Sequence, residues 1–186
     1  MIPFGQDEMI KVDLVHSNMI GALVAANKSK NILELGIGGG RSTDAILSAL
    51  EFNRQPYQYT LVDNWNDFGF VQPQIVTDTY ASRINLVTAN EKDFIDACTT
   101  TYDFIMSDAD HMRTQEWFEH VYDDILEPGG ILCYHDVNLF ESEHFVNLRQ
   151  IYYKCQERKL NHMLFNKNSI PGERCQRGLL VIFKNQ

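Results

Sequence analysis

NILELGIGGGRST, residues 31–43, sets an apolar strand pattern directly against Gly36, Gly38, Gly39 and Gly40 and resumes a helical pattern at Ser42. Strand, glycine turn and helix in immediate succession let a backbone come close to a nucleotide-like cofactor. A side chain in the turn would hold the ligand off, and glycine takes positive φ angles without steric cost. Such turns also join strands to helices with no ligand involved, so this one needs a partner. Asp63 closes the apolar run YTLV 23 residues after Gly40, where a carboxylate can accept both hydroxyls of a ribose. That spacing suits NAD equally. Arg41, standing where a G-x-G-x-x-G turn has its third glycine, and Glu34, two residues before the first glycine, both disfavour a dinucleotide.

Outward from the turn, short apolar runs at 31–35, 58–62, 84–88, 103–107 and 130–134 alternate with segments of helical length, which predicts a parallel sheet. Ahead of it, Met9, Val12, Val15, Met19, Ile20, Leu23 and Val24 recur at three- and four-residue spacing, an amphipathic helix. A further helix starts at about Thr114, its cap, and carries Trp117, Phe118, Val121, Tyr122, Ile125 and Leu126 on one face. It stops at Pro128-Gly129-Gly130. A helix over 141–157 leads to strands at 161–165 and 178–183, joined by a polar loop with Pro171-Gly172, so an antiparallel hairpin ends the chain. We find no repeat, low-complexity tract or Gly/Ser linker in the 186 residues. One domain over 1–186 is expected: a helical segment at 1–30, a cofactor-binding core at 31–137, and a helix and β-hairpin at 138–186.

The net charge of −9 and the pI near 5.0 argue against a nucleic-acid partner, because phosphate binding draws on clustered Lys and Arg. The nearest approach to a cluster is Lys154, Arg158 and Lys159. Cys98, Cys133, Cys155 and Cys175 lie 20 or more residues apart, which disfavours a zinc site. With no signal-like start and no apolar run near membrane-spanning length, the chain reads as cytoplasmic with reduced thiols, Cys133 in the core.

The segment Glu34-Leu35-Gly36-Ile37-Gly38-Gly39-Gly40 resembles motif I of class I S-adenosylmethionine (SAM)-dependent methyltransferases, and Asp63 matches the acid that closes their second strand. TANEKDF at 88–94 is similar to the family's adenine-contacting loop. YDFIMSDADH at 102–111 resembles its fourth-strand motif, and LEPGGILCYHDV at 126–137 its Pro-Gly-Gly turn and fifth strand. Five motifs in order over 31–137 imply a Rossmann-like α/β fold: a mostly parallel seven-stranded sheet with an antiparallel C-terminal hairpin and helices on both faces. The resemblance also implies cofactor contacts. Glu34, Gly36, Gly38, Gly40 and Ser42 would surround the methionine part of SAM, Asp63 the ribose, and Asn90 and Glu91 the adenine edge, with Asn64 and Asp108 as further cofactor contacts. Asn90 fits a helix cap as well. Trp65, Phe68 and Phe70 suit either the pocket mouth or core packing.

Two strands end in charged clusters, Ser107-Asp108-Ala109-Asp110-His111 and Tyr134-His135-Asp136, and parallel-sheet enzymes do their chemistry beyond such carboxyl ends. Acids and an imidazole converging there suit a divalent ion, Mg²⁺ for the carboxylates or Mn²⁺ and Fe²⁺ where an imidazole joins them. These residues resemble the metal site of catechol O-methyltransferase and of relatives that methylate sugars and antibiotics. That likeness implies Asp108, His135 and Asp136 as metal ligands, with His135 a departure from the catechol enzyme. It also implies His111 as the base that deprotonates an acceptor hydroxyl, with Asp110 orienting the ring; an imidazole is suited to take a proton near neutrality. The alternative for His111 is a helix-entry residue, and for the acids a metal-free site.

The expected activity is methyl transfer to a hydroxyl of a small molecule, leaving S-adenosylhomocysteine (SAH). A metal-independent N- or C-methyltransferase and a non-catalytic SAM-binding protein stay open as alternatives. Substrate preference would reside in the loops at 64–72, 138–144 and 166–177. With little room for extra substrate-binding segments, either the acceptor is small or a second subunit of a homo-oligomer closes the site.

Overall fold

A computed structural model describes residues 11–65, 82–139, 146–165 and 178–186. Seven strands form one sheet in the order β3-β2-β1-β4-β5-β7-β6. They are β1 Asn31–Leu35, β2 Gln58–Asp63, β3 Ile84–Thr88, β4 Tyr102–Ser107, β5 Leu126–His135, β6 Asn161–Phe165 and β7 Leu179–Phe183. The first five are parallel, and β7 lies antiparallel between β5 and β6. Since β1 pairs with β2 on one side and β4 on the other, the strand order reverses there and opens a crevice at the carboxyl ends.

Period-two alternation divides the sheet between two cores. Leu33, Leu35, Ile105, Leu132, Tyr134, Leu180 and Ile182 face one side, where α3 (Glu91–Ala97), the segment 114–125 and α5 (Val146–Glu157) supply Ile95, Trp117, Phe118, Val121, Leu148 and Ile151. Ile32, Phe104, Met106, Cys133, Leu179 and Val181 face the other, under α1 (Lys11–Asn27) and α2 (Arg41–Asn53) with Ile20, Val24, Ile46 and Leu50. Helices therefore cover both faces. Among the described residues no helix is long and apolar enough to cross a membrane.

Three local expectations are corrected. The buried stripe of α1 runs through His16, Ser17, Ile20, Gly21 and Val24, whereas Val15 is 47% exposed. The helix turns this way because Gly21 lets it approach α2 closely; a Cβ there would sit 3.0 Å from the Ala45 carbonyl oxygen. The helix expected from Thr114 is a 3₁₀ turn at Thr114–Glu116, a short α4 at Phe118–His120 and a π turn at Val121–Ile125. The wide last turn lets the N–H of Leu126 donate to the Val121 carbonyl and sends Leu126 into the sheet, so burial of the aromatic face overrides a uniform period. Strand β5 accordingly begins at Leu126, before the Pro-Gly-Gly turn. The pairing steps from Tyr102↔Leu126 to Phe104↔Ile131, and Gly129 takes φ 78° in the excess segment, as at a bulge. Met9 and the start of the helix expected at 141 lie outside the described residues.

The glycine turn is held where β1 and β4 end side by side. The Gly36 N–H donates to Val62 and that of Asp108 to Leu35, and a Cβ on Gly36, at φ 81°, would fall 2.4 Å from the Asp108 carbonyl oxygen. Backbone meets backbone there, so nothing flexible can yield. Gly36→Ala should lower the unfolding free energy by about 2 kcal/mol or more, from the left-handed penalty and overpacking together. Urea denaturation reads this; an unshifted midpoint would contradict the close approach.

Candidate active site

Level strand ends bring the site together. Leu35 pairs with Ser107, Ser107 with Tyr134, and Asp63 with Thr88, so the residues that follow emerge on one rim. On this rim Asp63 closes the glycine turn. One carboxylate oxygen accepts the N–H groups of Ile37 at 2.8 Å and Gly38 at 3.2 Å, and the other that of Trp65 at 2.8 Å. Gly40, at φ 72°, is the N-cap of α2, and Gly38 also takes positive φ. The Asn64 amide donates to the Asn90 side-chain oxygen at 3.2 Å, which sets these two side by side. Asn90 does stand at the N-cap of α3, but no cap bond comes from its side chain.

Glu34 lies beneath the turn, fully buried. Its carboxylate accepts the hydroxyls of Ser42, Thr43 (2.8 Å) and Tyr59, tying β1 to α2 and β2. Burial pushes its pKa up to about 7 against the pull of these three donors. Glu91, expected along the adenine edge, is turned inward instead. It accepts from the Ser107 hydroxyl, the Asp110 N–H and the Thr114 hydroxyl, each at 3.0 Å, and so braces the loop after β4. Burial raises its pKa as well.

The charged clusters converge as their positions at strand ends require. Asp108, His135 and Asp136 each offer a ligand atom, all within 4.8 Å of one another. Nδ1 of His135 lies 3.3 Å from Asp108 and 3.5 Å from Asp136. Nε2 of His111 lies 3.2 Å from Asp108 and 3.5 Å from Asp136. Asp136 holds φ at 58° while 1% exposed. A left-handed conformation in a buried non-glycine residue needs surroundings that enforce it, and aspartate is among the residues that tolerate it best.

Burial pushes the Asp108 carboxyl up, but the His135 and His111 imidazoles outweigh it and hold it well below the usual carboxylate range. Burial pushes His111 down, yet the bond to Asp108 and the charges of Asp108 and Asp136 raise it above its ordinary value. The expectation that Asp110 orients His111 is corrected by the same geometry. Asp110 caps its own turn, accepting the N–H groups of Met112 at 2.9 Å and Arg113 at 3.1 Å, while Asp108 and Asp136 stand against the ring. Short aspartates favour local backbone donors of this kind.

One residue escaped the sequence reading. His16 of α1, 7% exposed, places Nδ1 3.1 Å from Nε2 of His135. The available signal was its place four residues before Ile20 and eight before Val24, on the stripe that is buried. Trp65 packs partly buried against the core under α1 and α2, whereas Phe68 and Phe70 lie outside the described residues, as do all but Asn64, Trp65, Asn138 and Leu139 of the three expected specificity loops.

A glycine turn closed by an acid at the switch point of a seven-stranded sheet, with a strand reversed at its end, defines the class I SAM-dependent methyltransferases. The chain belongs to the family described as "Methyltransferase domain", whose model matches residues 33–137, and it is an enzyme of that class. Solved structures share the fold. An O-methyltransferase from Bacillus cereus in complex with SAH is similar at 16% identity and a TM-score of 0.67, over 98% of this chain and 84% of its own. TomG from Streptomyces achromogenes, an O-methyltransferase involved in tomaymycin synthesis and solved with SAM, is similar at 14% identity and a TM-score of 0.67, over 98% and 92%. An rRNA methylase from Streptococcus thermophilus is similar at 14% identity and a TM-score of 0.65, over 90% and 95%. One fold thus serves very different acceptors, and the acceptor has to be argued from the site. A comparison with curated protein sequences finds no match.

Proposed function

We propose that the protein transfers the methyl group of SAM to a hydroxyl of a small molecule, with Asp108, His135 and Asp136 holding a divalent cation and His111 acting as base. The observation that carries this reading is the convergence of those four side chains beyond β4 and β5, beside the turn that Asp63 closes. The neighbours from B. cereus and S. achromogenes, O-methyltransferases solved with SAH and SAM, support it.

Each residue has a task. The positive end of α2, whose N-cap is Gly40, suits the methionine carboxylate. Asp63 accepts from the ribose, and Asn64 with Asn90 offers donors and acceptors to the adenine. A bound SAM supplies an electrophilic methyl group, and a divalent cation lowers the pKa of a hydroxyl beside it. His111, a third exposed and aligned by Asp108 and Asp136, would take the proton released as the acceptor oxygen bonds to the methyl carbon and the carbon–sulfur bond breaks to leave SAH. The acceptor is a small metabolite rather than a nucleic acid, consistent with the net charge of −9. A homo-oligomer, with a second subunit over the crevice, and a cytoplasmic location belong to the same proposal; Cys98, Cys133 and Cys155 are free thiols.

A metal-independent reading has one observation in its favour. His111 and His135 already stand against both carboxylates, so imidazolium charge can balance the cluster without a cation. Chelator separates the two: an acceptor-dependent activity that survives EDTA selects the metal-independent enzyme.

Isothermal titration with SAM and SAH, with and without Mg²⁺ or Mn²⁺, tests the cofactor. Asp63→Ala should weaken SAM by roughly ten- to a hundredfold, the cost of a lost charged hydrogen-bond acceptor. Wild-type protein that binds neither SAM nor SAH would overturn the proposal.

A further inference from the structure

We infer that His16 is a positioning residue for His135: it accepts the Nε2–H of neutral His135 at its own Nδ1, so that the lone pair of His135 sits on Nδ1, on the side of Asp108 and Asp136. The inference rests on the reading of Asp108, His135 and Asp136 as a cation site.

The two rings meet deep in the molecule, 7% and 4% exposed. Their centroids are 5.2 Å apart and their planes 79° apart, an edge-on approach that sets Nδ1 of His16 3.1 Å from Nε2 of His135. The fold makes this meeting. Alternation along β5 turns His135 to the same side as Cys133, the side that α1 and α2 cover. His16 belongs to the stripe of α1 that packs there, with Ile20 and Val24.

A single proton can lie between the facing nitrogens, and its direction decides what the far side of His135 can do. If Nε2 of a neutral His135 carries it, His16 accepts, and Nδ1 presents its lone pair at 3.3 Å from Asp108 and 3.5 Å from Asp136; a cation at the site selects this form over the imidazolium, which has no lone pair to offer. A lone pair facing two carboxylates is repelled unless a cation lies between them. If Nδ1 of His16 donates instead, the neutral His135 carries its proton on Nδ1, hydrogen-bonded to the carboxylates, and no longer offers a ligand atom there. Cation binding and the direction of the His16–His135 bond are therefore one equilibrium. A metal-ligating imidazole generally donates its other N–H to an acceptor that fixes tautomer and ring plane, and loss of that acceptor costs about 10- to 100-fold in metal affinity.

The test is calorimetric titration of Mn²⁺ into full-length wild type, His16→Phe and His16→Asn, each also titrated with SAH in the absence of metal. The Asn side-chain oxygen stands the same number of bonds from Cα as Nδ1 of histidine and can accept the same proton; phenylalanine keeps a ring and accepts nothing. His16→Phe should bind Mn²⁺ about 10- to 100-fold more weakly while His16→Asn stays within about threefold of wild type, with SAH affinity retained in both. Unchanged Mn²⁺ affinity in His16→Phe, or equal losses in both variants, would overturn the role of His16 alone. Wild type that binds SAH but no Mn²⁺ would overturn the cation site, and this inference with it. Long-range ¹H–¹⁵N spectra of Zn²⁺-loaded wild type decide the point without any substitution. A proton on Nε2 of His135 supports the assignment, and a proton on Nδ1 of His16 overturns it.

Discussion

Replacing His111 with alanine should slow methyl transfer by about 10² to 10⁴ and leave SAM affinity nearly unchanged, the usual cost of removing a general base. The separation follows from where the residue stands. His111 sits four residues beyond β4, with Nε2 against Asp108 and Asp136. The groups proposed for SAM lie on the turn after β1 and at the ends of β2 and β3. Alanine also removes an imidazole from two carboxylates, so it alone would confuse a lost base with a disturbed cluster. His111→Gln resolves this, because its amide can still donate a hydrogen bond to Asp108 yet cannot take a proton at neutral pH. Equal slowing in both variants, measured under single-turnover conditions with an acceptor found by screening, is expected for a base. If His111→Gln kept nearly full rate, the histidine would be aligning the acids and another group would remove the proton.

What the sequence discloses about this site follows the range of the interactions involved. Gly36, Gly38, Gly40 and Asp63 are legible because strand, turn and acid obey local rules. The convergence of Asp108, His111, His135 and Asp136 is legible because parallel strands must end on one rim. Glu91 and Asp110 carry the same chemistry as Asp108 in one dimension. They part from it only because donors on Ser107, Thr114 and nearby amides lie within their reach. The rotation of α1 was set by how closely Gly21 can approach Ala45, a contact between helices that the weakly amphipathic sequence of α1 does not encode. That rotation is also what delivers His16 to His135. The π turn before β5 has a similar origin, since Trp117, Phe118, Val121 and Ile125 all find burial on the sheet while Leu126 enters it.

The buried glutamate under the glycine turn should make stability depend on pH in the direction opposite to that of an ordinary ion-paired acid. Glu34 is 0% exposed, and its pKa rises from 4.5 to about 7 in the folded protein. A group that binds its proton more tightly when folded favours folding in acid. Its contribution is fully present below pH 4.5 and is lost as the pH climbs through 7. Over that interval the wild type should lose about 3 kcal/mol relative to Glu34→Gln, since each pKa unit is worth about 1.4 kcal/mol. Glutamine exchanges one acceptor for a donor among the hydroxyls of Ser42, Thr43 and Tyr59, which can reorient. The resulting offset does not vary with pH, so the informative quantity is how the stability difference between the two proteins changes with pH. Urea denaturation of both proteins at half-unit steps from pH 4.5 to 7.5 reads it. A flat difference would mean that the three hydroxyl donors offset desolvation fully and that Glu34 is an ordinary anion. A difference that widens toward neutrality in favour of glutamine would mean that burial outweighs the three hydroxyl donors, and that the fold is most stable when Glu34 is neutral.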